Sequence, residues 1–138
     1  MQYNFTSNSE YETRLIAQQV SEQLRDKITL LIGELGAGKT VFVKGLSKAF
    51  GISEDDITSP TFVIIQPYGD LIHVDLYRLE NDSVRDIVLE ITEYLSENKT
   101  VVVEWGEKIE RFFPDAVKVF IKKKENDKRE IIVSSIRR

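Results

Sequence analysis

The chain has 138 residues, of which 23 are acidic and 19 basic, and its formal net charge at neutral pH is −4. It has no cysteine, which excludes disulfides, thiolate metal sites and cysteine nucleophiles, and its single histidine argues against a histidine-based zinc site. The negative charge argues against a protein that binds nucleic acid by itself, and the length predicts one domain over residues 1–138. No apolar run is long enough to cross a membrane and the first residues lack a signal-peptide pattern, so we expect a cytoplasmic protein.

The first elements of the chain are predicted to be a short strand and an amphipathic helix. Residues 2–6 alternate weakly between polar and apolar side chains, as a strand does. Residues 9–25 have the periodicity of a helix, and Ser9 and Glu12 have the spacing of a capping box. We interpret this helix as core packing. Its inward residues are expected to be Leu15, Ile16, Val20 and Leu24.

The next segment has the order strand, glycine loop, helix. Residues 27–32 form an apolar, β-branched run that predicts a buried strand. Residues 33–40 read Gly-Glu-Leu-Gly-Ala-Gly-Lys-Thr, which matches the Walker A phosphate-binding loop. Residues 40–50 place apolar side chains on one helical face and end before Gly51. This context is the one that the motif requires, so the segment predicts a nucleoside triphosphate site.

The residue types in this loop suit phosphate chemistry. Gly33, Gly36 and Gly38 permit backbone conformations in which successive N–H groups point at phosphate oxygens, and the helix start adds free donors and the positive end of its dipole. We expect Lys39 to reach the β- and γ-phosphates and the Thr40 hydroxyl to ligate Mg²⁺. The residues expected to contact the nucleotide are Glu34, Leu35, Gly36, Ala37, Gly38, Lys39, Thr40 and Val41.

A polar loop then leads into a predicted antiparallel hairpin beside the phosphate-loop strand. Its strands are residues 62–66 and 71–77, and residues 67–70 form the turn. Residues 58–61 read Thr-Ser-Pro-Thr and fall where nucleotide-binding proteins often place a mobile γ-phosphate sensor. A turn initiated by Ser-Pro explains these residues equally well.

The last part of the chain completes a predicted α/β fold. Residues 83–97 have the pattern of an amphipathic helix, residues 100–105 that of a buried strand, and residues 116–122 and 129–136 that of a closing hairpin around a charged turn. The prediction is a single-domain P-loop NTPase with a mixed β-sheet flanked by helices and a C-terminal β-hairpin.

Two acidic residues end apolar strands and are candidates for the second half of the site. A Walker loop needs an acidic partner at such a position, either to hold Mg²⁺ or to position water. Glu104 ends the more uniformly apolar strand, which fits a central parallel strand next to the phosphate-loop strand, whereas Asp75 ends a strand that alternates less cleanly. At each position a strand-end carboxylate facing solvent is the alternative. The predicted catalytic residues are Lys39, Asp75 and Glu104, and the predicted metal ligands are Thr40 and Glu104.

Two further polar residues lie in or after the strand that Asp75 ends. We interpret His73 as a sheet residue with satisfied hydrogen bonds rather than as a proton carrier. Arg78 fits a phosphate contact and a surface ion pair equally well.

Four blocks, in this order, resemble the TsaE family, also called YjeE. They are the Walker loop of residues 33–40, Ser59-Pro60-Thr61-Phe62, His73-Val74-Asp75-Leu76-Tyr77-Arg78 and Val103-Glu104-Trp105-Gly106-Glu107. The Walker loop is generic, whereas the last two blocks downstream of Ser-Pro-Thr are specific, and together the blocks span nearly all of the chain. The family's proteins are bacterial P-loop ATPases needed for synthesis of tRNA threonylcarbamoyladenosine (t6A). The departures are Glu34 for an aspartate, Val41 for a threonine and Gly106 for a proline.

The resemblance implies a role for each matching residue. It implies that Lys39 and Thr40 bind phosphate and Mg²⁺, that Glu104 contributes to the Mg²⁺ site and that Asp75 is needed for turnover. It also suggests that Glu10 and Arg129 lie near the nucleotide.

The resemblance implies the partners as well. The chain would be a weak Mg²⁺-dependent ATPase that binds ATP and acts with the TsaB–TsaD heterodimer. That pair transfers the threonylcarbamoyl group to adenosine 37 of tRNAs that decode ANN codons, so the chain would meet tRNA only through the complex.

Three other functions are alternatives to this one. A small kinase needs an acceptor-binding insertion and lid arginines, for which the chain has little room. A small GTPase needs a guanine-reading Asn-Lys-x-Asp, and residues 98–101 lack its aspartate. A nucleotide-gated binding module with incidental hydrolysis shares the same loop, and the residues do not separate it from a regulatory ATPase.

Overall fold

The computed structural model describes residues 2–57 and 64–135. The strands are β1 (Gln2–Ser7), β2 (Ile28–Ile32), β3 (Ile65–Tyr68), β4 (Leu71–Asp75), β5 (Thr100–Glu104), β6 (Val117–Lys123) and β7 (Arg129–Ser134). The α-helices are α1 (Glu10–Gln19), α2 (Ser21–Leu24), α3 (Lys39–Ala49) and α4 (Val84–Ser96). In the two described ranges no helix has the length and apolar character needed to span a membrane.

In the described part of the chain, seven strands form one mixed sheet in the order β1-β7-β6-β2-β5-β4-β3. The centre is parallel, because β2 pairs in parallel with β5 and β6 and β4 pairs in parallel with β5. The two edges are antiparallel, formed by β3 against β4 on one side and by β7 against β6 and β1 on the other. The predicted mixed sheet and C-terminal hairpin are therefore confirmed.

Helices cover both faces of this sheet. On one face α1, α2 and α3 pack against inward residues of the central strands, including Leu31, Val102 and Val119. On the other face α4 packs against the alternate residues of the same strands, including Leu30, Val101 and Val103. Strand β5 is buried along its whole length because both of its faces are covered.

The single helix predicted over residues 9–25 is two helices in the structure, α1 and α2. It is interrupted at Val20, whose backbone (φ −96, ψ 4) lies outside the helical region, and α2 is a single further turn. The Ser9 cap is confirmed, because its hydroxyl accepts the Glu12 N–H at 3.1 Å, but the Glu12 carboxylate accepts the N–H of Asn8 rather than that of Ser9. Leu15, expected inside, is 43% exposed, so the buried stripe of α1 is narrower than predicted.

The first predicted hairpin exists, but it does not lie beside the phosphate-loop strand. Strand β5 separates β4 from β2. The physical reason is that β5, apolar on both faces, belongs in the doubly covered centre, whereas β3 contains Pro67 and lies at the edge, where a missing N–H is tolerated. Pro67 and Tyr68 thus belong to β3 rather than to the turn, which is Gly69-Asp70, and β4 ends at Asp75 rather than at residue 77.

Candidate nucleotide-binding site

The candidate site is a cleft of about 1050 Å³ at the carboxyl ends of the parallel strands. The loop between β2 and α3 forms its floor, and the ends of β4 and β5 contribute one wall. The opposite wall contains the start of α1, with Ser9, Glu10 and Thr13. Ligands of α/β proteins bind in this position because strand ends and helix N-termini converge there.

The loop adopts conformations that depend on glycine. Gly36 (φ 77) and Gly38 (φ 111) lie in the left-handed region, and Gly38 is the residue that precedes the first turn of α3. Gly33 was expected to have the same freedom, but it does not have a positive φ. Its constraint is steric, since an added Cβ would come within 2.6 Å of the Ile121 carbonyl oxygen on β6.

Lys39 is the cation at the centre of the cleft. Its side chain is buried and its Nζ donates to the carbonyl oxygens of Gly33 and of Glu34, the latter at 2.9 Å. The Trp105 ring centroid lies 4.0 Å from Nζ, a cation–π contact. Burial lowers the pKa of Lys39, an effect that the nearby carboxylates, Glu104 first among them, oppose.

Thr40 and Glu104 contact each other directly across the cleft floor. The Thr40 hydroxyl donates to Glu104, with its Oγ1 2.9 Å from Oε1 and 3.1 Å from Oε2. Glu104 is 3% exposed, and its Oε2 lies 2.7 Å from His73 Nε2 on β4. The predicted partner of the Walker loop is thus within hydrogen-bond distance of its last residue.

Asp75 lies next to Glu104 but in different surroundings. The two residues are register partners on β4 and β5, and Asp75 is only half-buried. Its Oδ1 accepts the Tyr77 N–H at 2.9 Å. Partial burial raises the pKa of Asp75, and the neighbouring charge of Glu104 adds to that rise, while the Tyr77 N–H opposes it.

The donor set at the floor of the cleft fits a magnesium ion that also binds phosphate. Within residues 2–57 and 64–135, no group of three or more histidine, cysteine or acidic side chains could hold a metal by itself. Magnesium in nucleotide sites is usually held by one or two protein oxygens together with phosphate oxygens and waters. The Thr40 hydroxyl and the Glu104 carboxylate supply such oxygens.

Most of the remaining predicted site residues line the cleft, but not all of them do. Leu35, Val41, Glu10 and Arg129 line the cleft. The Arg129 guanidinium donates to Ala37 O at 2.8 Å, so in this structure it supports the loop from β7. Glu34 is exposed and contributes its carbonyl oxygen to Lys39. Residues 58–61 and Phe62, predicted as a sensor segment and strand start, lie outside the described residues.

Several cleft residues were not predicted as site residues. Trp105 has a left-handed backbone (φ 61), unusual for a bulky side chain, and its ring lies 5.1 Å from that of Tyr77. Asp127, in the turn before β7, and Asn8, before α1, also line the cleft. The signal for Trp105 was present, since it directly follows the strand-end glutamate, but nothing local in the sequence connects Asp127 with the Walker loop.

The family model of "Threonylcarbamoyl adenosine biosynthesis protein TsaE" matches residues 7–131. This chain belongs to the TsaE family. It is 37% identical over 131 residues to a "tRNA threonylcarbamoyladenosine biosynthesis protein TsaE" of Bacillus subtilis, covering 91% of this chain and 80% of that protein. A Streptomyces coelicolor protein of the same name is 38% identical, with 83% and 81% covered.

A solved structure supports the same assignment. The fold resembles the crystal structure of YdiB from Bacillus subtilis with a TM-score of 0.78 and 30% identity, covering 99% of this chain and 87% of that one. The resemblance inferred from the sequence blocks is therefore confirmed, as is the α/β fold. Membership of the TsaE family implies nucleotide binding, which suits a cleft whose floor is the loop containing Gly36, Gly38 and Lys39.

Proposed function

We propose that this chain binds ATP with Mg²⁺, hydrolyses it slowly and thereby supports the TsaB–TsaD heterodimer. That pair forms threonylcarbamoyladenosine at position 37 of tRNAs that decode ANN codons. The names of the relatives, which are tRNA threonylcarbamoyladenosine biosynthesis proteins, support the pathway. The net charge of −4 supports contact with tRNA through partner proteins rather than directly. The proposed location is the cytoplasm.

The observation that carries the ATPase proposal is the hydrogen bond between Thr40 and Glu104. It joins the first turn of α3 to the end of the neighbouring parallel strand. A hydroxyl and a carboxylate at this place are the pair with which P-loop proteins hold their Mg²⁺ ion. Thr40 and Glu104 would hold such a cation here, and it would supply positive charge to neutralise the phosphate oxygens.

The other side chains divide the remaining tasks. Lys39, buried within the floor, is the phosphate-binding cation, and reaching a phosphate requires that it exchange at least one of its two carbonyl contacts. Asp75 is half-buried beside Glu104, and the raised pKa of its carboxyl favours a group that accepts or orients a proton of the attacking water. The cleft walls beyond these residues, with Glu10 and Arg129, are the proposed nucleotide-contacting rim.

Hydrolysis measured with and without the partners tests this proposal. Single-turnover hydrolysis of ATP is followed for the chain alone and with purified TsaB–TsaD, and association is measured by interferometry with ATP, with ADP and with neither. We expect slow hydrolysis by the isolated chain, a changed rate with the partners and association that depends on the nucleotide. By linkage, a partner that prefers the ATP-bound form must tighten ATP binding in return.

The outcomes separate the proposal from its competitors. Equal association in the three nucleotide states together with an unaltered rate would contradict partner regulation. Nucleotide-dependent association without any hydrolysis would indicate a binding module. Phosphate transfer to an added hydroxyl acceptor would indicate a kinase.

A further inference from the structure

His73 is the single histidine of the chain, and its surroundings are unlike those expected for an ordinary sheet residue. Its side chain is fully buried on β4. Nε2 lies 2.7 Å from Glu104 Oε2, whereas Nδ1 is buried and has no hydrogen-bond partner among the described residues. The imidazole therefore makes one directed polar contact, and that contact is with the predicted metal ligand.

The hydrogen-bond network assigns the position of the imidazole proton. An ionised carboxylate, which a metal ligand would be, can only accept, so we assign the proton of a neutral imidazole to Nε2, which donates it to Glu104 Oε2. Nδ1 is then an acceptor without a partner among the described residues. A buried acceptor without a partner lowers stability, so packing alone would favour an apolar side chain at this position.

Glu104 is held from two directions as a result. Thr40, at the start of α3, donates to its oxygens from one side, and His73 donates to Oε2 from the neighbouring strand. A hydroxyl that ligates a cation does so through an oxygen lone pair, so its proton remains available to Glu104. The hydrogen bond from Thr40 to Glu104 therefore does not compete with a cation for the Thr40 oxygen.

We infer that His73 is a positioning residue whose Nε2–H orients the Glu104 carboxylate toward the cation of the site. This inference rests on the proposed Mg²⁺–ATP function and deepens it. Hydrogen bonds to a ligating carboxylate fix its orientation, and their loss commonly lowers metal affinity about 10- to 100-fold. The role is that of a donor at one place, so a different side chain with a donor at the same place should replace it.

Two amide variants distinguish a positioned donor from mere packing. The amide nitrogen of His73→Gln lies about as far along the side chain as Nε2, whereas that of His73→Asn corresponds to Nδ1 and does not reach Glu104. Affinity for a fluorescent ATP analogue is measured during a Mg²⁺ titration and again in EDTA, with thermal unfolding as a check on folding. We expect His73→Asn to need about 10- to 100-fold more Mg²⁺ with unchanged affinity in EDTA, and His73→Gln to stay close to the unsubstituted chain.

The matched control is Thr29→Val. Thr29 on β2 and His73 on β4 are both register partners of Val102, so they lie in one row of the sheet, and the Thr29 hydroxyl is likewise buried and without a partner in the described residues. Removing that hydroxyl should leave the Mg²⁺ dependence unchanged. A shift as large as that of His73→Asn would mean that any substitution of a buried polar group in this row disturbs the site, and would overturn the inference.

The other outcomes are also decisive. Unchanged Mg²⁺ dependence in both His73 variants, or equal loss in both, would overturn the inference while leaving the proposed function in place. If His73→Asn lowered the affinity for the ATP analogue in EDTA as much as with Mg²⁺, the role of His73 would be structural instead. If the unsubstituted chain bound the analogue without regard to Mg²⁺, the proposed function would fail and this inference with it.

A second measurement does not depend on the variants folding. Because the chain has one histidine, long-range ¹H–¹⁵N correlation spectra report its two ring nitrogens without ambiguity. We expect a protonated Nε2 and an unprotonated Nδ1. A proton on Nδ1 with a bare Nε2 would overturn the assignment.

Discussion

The carboxyl ends of β4 and β5 lie side by side, yet the acidic residue at each end has a different environment. Glu104 is 3% exposed and both of its oxygens accept hydrogen bonds from side chains. Asp75, its register partner, is half-buried, and one of its oxygens accepts a single backbone N–H. The Glu104 carboxylate is thus enclosed and held by side-chain donors, whereas the Asp75 carboxylate is partly exposed to solvent and accepts a backbone N–H.

This difference in surroundings fits the two tasks that we propose for the carboxylates at this sheet edge. A metal ligand benefits from a fixed orientation, because any reorganisation weakens binding. A group that handles a proton benefits instead from partial solvation and a shifted pKa, which Asp75 has. Under the proposed function, the number of hydrogen-bond donors around each carboxylate matches its task.

The largest effect is expected from Lys39→Ala, which should remove ATP binding and with it both proposed carboxylate roles. Under the proposed function, the terminal phosphates of ATP lose the ammonium that neutralises their charge. Removing one partner of a desolvated charge pair costs about 2–5 kcal/mol, which corresponds to about 30-fold to several thousand-fold in ATP affinity. Calorimetry checks this, and Lys48→Ala, exposed at the end of the same helix, is the control. An unchanged ATP affinity in a folded Lys39→Ala variant would contradict the assignment of the site.

The next largest effect should come from Asp75→Asn, which tests one side of the comparison. An amide cannot accept a proton from water, so hydrolysis should fall by about 100-fold or more while ATP and Mg²⁺ affinities stay the same. Single-turnover hydrolysis at saturating nucleotide measures the first and calorimetry the second. The division of roles is wrong if the variant hydrolyses ATP normally, or if its main defect is in metal binding.

Glu104→Gln tests the other side. Gln retains the size of the side chain and accepts hydrogen bonds through one oxygen, but it lacks the charge that attracts a cation. We expect Mg²⁺ to bind the ATP complex about 10- to 100-fold more weakly. Thr40→Ala should weaken binding in the presence of Mg²⁺ more than in EDTA. The two roles would be reversed if Glu104→Gln left the Mg²⁺ dependence unaltered while Asp75→Asn weakened Mg²⁺ binding in the same titration.

The smallest effect is on stability, and it tests the raised pKa of Asp75. The pKa of Asp75 is raised in the folded chain above its ordinary value of 3.8, so the folded state holds this proton more tightly than the unfolded state does. The resulting stabilisation is present at acidic pH and is lost as the pH rises through the folded-state pKa. Asp75→Asn should therefore unfold at a slightly higher temperature than the unsubstituted chain at neutral pH, and the difference should shrink on acidification.

The residues that could be assigned from the sequence are those whose signals are local. The strand, loop and helix around Gly33–Thr40 follow one another directly, so apolar periodicity and motif spacing predicted them without knowledge of the fold. The central place of β5 also followed from its composition, because Val101, Val102 and Val103 are apolar on both faces.

What could not be predicted depends on pairing between distant segments. The order of the strands places β5 between β2 and β4, and the β4–β5 register brings Asp75 opposite Glu104. No local pattern specifies that register, so the sequence does not predict the contact of His73 with Glu104, and the expectation that both nitrogens of His73 find partners is wrong for Nδ1 among the described residues. The interruption at Val20 was missed for the converse reason, since apolar periodicity continues through it.

The central position of β2 has a consequence for synthesis on the ribosome. Thr40 and Glu104 are 64 positions apart in the chain, and both strands that flank β2 are made after it. At the usual rate of about 5–20 residues per second, the Walker segment emerges about 3–13 s before its carboxylate partner. A ligand that needs both can stabilise only the chain in which the sheet has closed. A nascent chain stopped before residue 104 would contain an intact Walker sequence but would lack the carboxylate that the Thr40 hydroxyl contacts.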